Sequence, residues 1–307
     1  TDAAGIAIAS YEWMSAITLF IVGKYFLPIF MAKGIYTMPQ FLENRYDRRV
    51  RIVMSIFWLT LYVLVNLTSI LYLGALAIEA VTGVDMVYAM IGLAVFSFTY
   101  SIYGGMKAVA FTDVFQVTLL VLGGLLITYL GLEKIGGDQG IVHGFKTLLD
   151  TVPEKFDLIL DPSNPQYQNL PGISVLIGGM WVMNMSYWGF NQYITQRTLA
   201  AKSLQEAQKG IALAAYLKVL MPIIVVLPGV AAASLIPGLS PSDRAYPEMM
   251  KLLPHGLLGI VFASLVAAIC ASLSSKVNSI STLFTMDIYK LIIKPDASET
   301  HLVLSLI

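Results

Sequence analysis

This 307-residue sequence has little charge: Asp, Glu, Lys and Arg together make up 12% of it. A soluble domain carries about a quarter charged residues, because its surface must face water. So low a share, beside 57% hydrophobic side chains and a mean hydropathy of +0.75, points to an outer surface that faces lipid. Lys plus Arg number 19 and so do Asp plus Glu, which leaves neither a basic stripe for nucleic acid nor an acidic tail. The single cysteine, Cys270, excludes a disulfide framework and a cysteine metal site. His143, His255 and His301 sit in loops or near the ends, without metal-ligand spacing. There is no Gly-rich phosphate loop and no nucleophile elbow. The sequon Asn66-Leu67-Thr68 lies in mid-span, where no glycosyl transferase reaches. No signal peptide or initiator Met opens the chain; TDAAGIAIASYEW runs straight into a span, as an internal fragment of a longer protein would.

What the sequence has instead is long apolar runs. Seven spans are expected, roughly Ile6 to Met31, Ile52 to Ile78, Met86 to Tyr103, Val109 to Leu132, Ile173 to Tyr193, Ile211 to Leu235 and Leu257 to Met286. An eighth begins near Leu302. A hydrocarbon core about 30 Å thick needs roughly 20 helical residues. Lipid offers no partner for an open backbone, so the spans must be helices. The expected fold is therefore an all-α polytopic membrane protein, with residues 1–307 forming a single transmembrane domain. The first loop is rich in base (Lys33, Arg45, Arg48, Arg49, Arg51), as is every second loop after it (Lys107; then Arg197, Lys202 and Lys209; then Lys290 and Lys294). That bias makes the first loop cytoplasmic and puts the N-terminal end of the chain outside. The loop from Glu133 to Gly172 is then external, an irregular cap rich in Pro and Asn.

Ionisable side chains inside a span are costly and mark function by default. The set here is Glu12, Lys24, Asp113, Lys218 and Lys276, with Asn66, Asn184, Asn191, Gln192 and Asn278 as amides. Tyr11, Glu12 and Ser15 lie within one turn of each other and can face one cavity; the plainer alternative for Glu12 is a protonated group bonded to a neighbouring helix. Asn184, Tyr187, Trp188 and Asn191 follow at i, i+3, i+4 and i+7. Amides pair with ring hydroxyls and an aromatic face covers the C–H side of a sugar, although amides also glue membrane helices together. Gly178, Gly179 and Gly189 permit a helix break there. Lys218, one turn before Pro222, wants an acceptor, either Glu12 or a solute hydroxyl. Hydroxyls on the last span, Ser272 among them, are hard ligands for an alkali cation, or else small packing residues. Asp113 reads as a helix cap or a waypoint for a cation, and Lys24 as a snorkelling lysine.

The runs YEWMS (11–15), YSIYGGMKA (100–108), FTDVFQ (111–116), WGFNQYITQRTLAAKS (188–203) and FTMDIYK (284–290) resemble the sodium/glucose (sodium/galactose) cotransporter branch of the solute:sodium symporter family, over essentially the whole chain. The resemblance implies a LeuT-type core of two inverted five-helix repeats, incomplete here because the first core helix would precede Thr1 and the tenth would follow Ile307. It implies sugar contacts at Glu12, Ser15, Asn184 and Lys218, with Tyr187 stacking on the sugar as inner gate and Tyr11 in the outer gate. It also implies a sodium site at Ala268, Ala271 and Ser272, and a sodium exit path past Asp113. Two departures stand out. Ala271 occupies a position where the family has a hydroxyl, and Lys276 falls one turn beyond Ser272, where it can bridge to a carboxylate or repel the cation.

The function expected on this basis is sodium-coupled symport of a neutral monosaccharide by alternating access in the cell's plasma membrane, with sodium as coupling ion and no other cofactor. Rival readings are a same-fold carrier of inositol, an amino acid, a carboxylate or sialic acid, and a sensor with a transporter-like core. An enzyme is disfavoured because no nucleophile, metal cluster or acid–base pair is present.

Overall fold

The computed structural model describes residues 5–164, 166–168, 170, 172–298 and 301–302, with backbone alone at 104–110. The expected eighth stretch, from Leu302 onward, lies almost wholly outside them. The helices are α1 (Gly5–Ala32), α2 (Met38–Glu43), α3 (Arg48–Thr82), α4 (Met86–Gly136), α5 (Gly140–Thr151), α6 (Ile173–Ile177), α7 (Gly179–Phe190), α8 (Gln192–Leu199), α9 (Leu204–Leu235), α10 (Ala245–Met250) and α11 (His255–Ile293). Their starts follow the capping residues. Thr37, Asp47, Asp85 and Ser203 each accept a backbone N–H of the following turn, and Gly83, at φ 75°, closes α3 in the left-handed conformation that glycine adopts without strain.

α4 spans 51 residues, which laid out straight would measure about 77 Å, more than twice a bilayer core. Its two halves nevertheless run in opposite senses. Leu93 packs on Cys270 and Ser101 donates to Asn278, so the first half runs parallel to α11. Beyond it, Asp113 is tied through Arg197 to Ser275, and Gly123 abuts Val261, so the second half runs back. The Tyr100 hydroxyl and Thr112 Oγ1 lie 2.6 Å apart, whereas 12 residues of straight helix would hold them about 18 Å apart. Two crossings are thus present where two spans were expected. The reversal falls between Tyr100 and Thr112, where the loop at Gly104-Gly105 and Lys107 was expected, and the side chains of 104–110 lie outside the described residues.

Six helices are long and apolar enough to cross a membrane among the described residues, against seven spans expected. The difference is the run from Ile173 to Tyr193, which is α6, α7 and the start of α8. It breaks first at Gly178 (φ −112°, ψ −89°) and again at Asn191, whose backbone is extended and whose side chain caps α8. Gly189, expected to permit a break, stays helical and packs on Val22. The loop from Glu133 to Gly172 is also more ordered than its composition suggested: α5 turns back on α4 at Gly136 and Gly144, where a Cβ at Gly144 would sit 1.9 Å from the Leu132 carbonyl oxygen.

α1 and α9 pack antiparallel, pairing Glu12 with Lys218 and Gly23 with Gln208, while α7 runs parallel to α1, pairing Asn184 with Ser15 and Gly189 with Val22. α3 runs antiparallel to α11, from the Arg51–Asp287 contact to that of Gly74 with Ile269.

Candidate functional site

The α1–α7–α9 seam brings Glu12, Ser15, Asn184, Tyr187 and Lys218 together. Lys218 Nζ lies 2.5 Å from Glu12 Oε2 and 4.9 Å from the centre of the Trp188 ring. The indole Nε1 donates to Asn184 Oδ1 at 3.2 Å, and the Ser15 hydroxyl donates to the same oxygen at 2.7 Å. Asn184 Nδ2 donates back to the Met180 carbonyl at 3.1 Å, so both ends of this amide, only 3% exposed, make hydrogen bonds. Tyr187 meets Trp188 edge to face at 5.1 Å and remains 42% exposed. The i+3 and i+4 spacing puts both rings on the face of α7 that carries Asn184. Tyr11, one turn before Ser15, packs with Tyr167 on Ala7, Leu160 and Leu170, against the loop that follows α5.

The residues that the resemblance gives to sodium do not line this seam. Ala268 and Ser272 form part of a second wall, on a cavity of about 480 Å³ whose polar lining is Asn66, Ser69, Tyr187, Tyr193, Ser272 and Lys276. Tyr187 is the side chain common to both. Ala271 is 2% exposed and outside the cavity lining, so the structure does not bring it to this wall. Ala268 lies in the unbroken helical part of α11, so its carbonyl serves the helix. This wall therefore supplies one free hydroxyl oxygen, from Ser272, toward a cation that prefers several oxygen ligands. It also supplies an ammonium. Lys276 is 2% exposed, its Nζ has no hydrogen-bond partner among the described residues, and it lies 3.8 Å from the centre of the Tyr193 ring and 4.7 Å from that of Tyr62.

Asp113 is held by Arg197 at 2.6 Å, and the same guanidinium donates to Ser275. Lys24 points outward over Tyr25, with no ion pair among the described residues. Asn191 is spent on structure: its Oδ1 accepts from the Tyr62 hydroxyl and from Tyr193 N–H.

Two buried charges escaped the sequence reading. Asp287 is 0% exposed, receives Arg51 Nε and Nη2 at 2.8 and 2.6 Å, and also accepts the hydroxyls of Thr37 and Ser55, both at 2.9 Å. Hydropathy ended one span at Met286 and began another at Ile52, each a single residue short of these charges. The run FTMDIYK was the available signal.

With this geometry in place, the profile of the sodium:solute symporter family matches residues 2–307. The chain is 55% identical to a sodium/glucose cotransporter of Vibrio parahaemolyticus, over 97% of this chain and 58% of that protein. It is 33% identical to human sodium/myo-inositol cotransporter 2, over 98% of this chain and 48% of that one. It thus spans about half the length of the relatives it matches. Among solved structures it superposes on a substrate-bound, outward-open Na+-coupled sialic acid symporter with a TM-score of 0.84 at 24% identity, over 99% of this chain and 64% of that one.

Proposed function

The chain belongs to the sodium:solute symporter family, with a LeuT-type fold in an integral multi-pass membrane protein, and on that premise we propose that its parent carries a neutral monosaccharide across the plasma membrane together with sodium. The observation that carries this reading is the Glu12–Lys218–Trp188–Asn184–Ser15 cluster. It combines an amide, a hydroxyl and two aromatic faces with a charge pair whose sum is zero. Such a set bonds to hydroxyls and covers the C–H face of a ring, and it gives a carboxylate no surplus positive charge to seek. A hydroxylated ring entering the seam exchanges its own hydrogen bonds for part of the Lys218–Glu12 contact, while Tyr187 covers the ring on the side of the second cavity and Tyr11 closes beneath the external loop. The sugar-binding roles of Glu12, Ser15, Asn184 and Lys218 and the gating roles of Tyr11 and Tyr187 are part of the proposal. So is an exit for sodium past Asp113, where the Arg197 pair must open. One sodium ion entering down 100 mV supplies about 2.3 kcal/mol to the sugar, roughly a fifty-fold concentration ratio. Inositol, the solute in the name of one relative, satisfies the same neutral polyhydroxyl chemistry and is the second reading.

The test is uptake by the full-length parent in proteoliposomes under an inward sodium gradient, with glucose, galactose, myo-inositol and sialic acid as competitors. Concentrative uptake of a monosaccharide is expected, with Asn184→Ala and Lys218→Ala each weakening it about tenfold or more, the loss of one hydrogen bond to the solute. Uptake indifferent to the gradient, or competed by sialic acid alone, sinks the reading.

A further inference from the structure

Lys276 is the buried ionisable group that the function so far leaves without work. A lysine enclosed in protein at membrane depth normally has a carboxylate or a carbonyl at its head. Here the head has two ring faces, Tyr193 and Tyr62, and opens on the cavity that Ser272 shares. Aromatic faces attract the ammonium without neutralising it, so a full positive charge stays on the wall. The other cation near Tyr193 is Arg197, 5.8 Å from the ring centre, and Asp113 already compensates it. Ser272 and Lys276 are one helical turn apart on α11, on the same face.

We propose that Lys276 is a tethered cation that competes with the coupling ion for the wall at Ala268 and Ser272. Sodium settles there against a fixed positive charge, and the protein requires a much higher sodium concentration than it would without this side chain. The inference rests on the reading of a sodium-coupled carrier and specifies how its ion site is tuned. Two unit charges about 6 Å apart at an effective dielectric near 20 weaken ion binding by roughly a hundred-fold. Relaxation of the ammonium over its rings and water in the cavity reduce this, so at least ten-fold is expected.

The experiment needs no solute. The full-length parent in detergent is titrated with sodium at constant ionic strength, choline replacing it, and protection from thermal unfolding is followed. Lys276→Met and Lys276→Gln are expected to half-saturate at sodium concentrations at least ten-fold below the unmodified protein, whereas Lys276→Arg, which keeps the charge, stays near it. Two neutral variants guard against one that fails to fold. Curves within two-fold of one another, or no sodium effect in any of these proteins, overturn the proposal. So does a neutral variant with an unchanged sodium curve and a ten-fold weaker sugar affinity, because Lys276 would then be a solute ligand. Sugar uptake, measured separately, decides the function reading and leaves this outcome untouched.

Discussion

Arg51 and Lys276 are both long cations buried in the same bundle, 7% and 2% exposed, with opposite surroundings. Arg51 spends its guanidinium on Asp287, on Glu43 at 2.6 Å and on the Met286 carbonyl at 3.1 Å, and Asp287 collects two further hydroxyls. None of these residues lines the cavity at Lys276; the knot ties the start of α3 and the loop before α2 to the end of α11. Lys276 has ring faces and open space. A buried charge whose every bond is made holds a joint, and its worth lies in what breaking it would expose. A buried charge left without a counter-charge at a cavity wall imposes its field on whatever enters. The Glu12–Lys218 pair stands between the two, matched in charge yet about a fifth exposed on both sides, so a solute can reach and partly replace it.

The sharpest way to break this comparison is to neutralise one member at each place. Asp287→Ala leaves Arg51 buried with only Glu43 as counter-charge and is expected to cost about 3–5 kcal/mol. The full-length protein should show this as a large drop in thermal midpoint in detergent; a midpoint unmoved by the change would mean that water already reaches the knot. Lys276→Met should have the opposite sign. It removes an uncompensated ammonium and fills its place with an apolar side chain of similar length, for a gain of roughly 1–4 kcal/mol in sodium-free buffer. A loss in that variant would show that Lys276 has an unseen counter-charge and behaves as Arg51 does.

The same contrast explains what could be read from sequence and what could not. Glu12, Asn184 and Lys218 stood out because a charged or amide group in the middle of an apolar run has no cheap place to go, and i, i+3 and i+4 spacing put Ser15 beside Glu12, and Tyr187 and Trp188 beside Asn184. Lys276 stood out for the same reason, but spacing along one helix cannot say whether a carboxylate waits on another. The absence of such a partner among the described residues is visible only once α3 and α8 have brought Tyr62 and Tyr193 to it. Arg51 and Asp287 were hidden by the hydropathy edge, because a charge at the end of an apolar run reads as solvated. Only the turn at Thr37 and the start of α3 close over Asp287. The break at Asn191 was missed because glycine was taken as the marker of a helix break. The residue that breaks this helix is an asparagine whose side chain replaces the lost backbone bond and caps the next helix.

Burial, rather than pairing as such, should then set the scale, and the smallest effect should fall on a pair drawn in the same way but left in water. Lys209 and Glu206 lie 2.8 Å apart at i, i+3 on α9, with side chains 73% and 58% exposed. Water and salt screen that attraction, and holding two long side chains together costs rotamer entropy, so exposed pairs contribute between about 0 and 1 kcal/mol. Lys209→Ala should therefore move the stability of the full-length protein by no more than about 0.5 kcal/mol, and the shift should vanish as ionic strength rises. The Asp287→Ala deficit should persist at high salt, since Arg51 and Asp287 are 8% and 0% exposed at their side chains and counter-ions do not reach between them. If Lys209→Ala cost as much as Asp287→Ala, distance alone would rank these pairs, and the case for treating Lys276 as different from Arg51 would lose its physical basis.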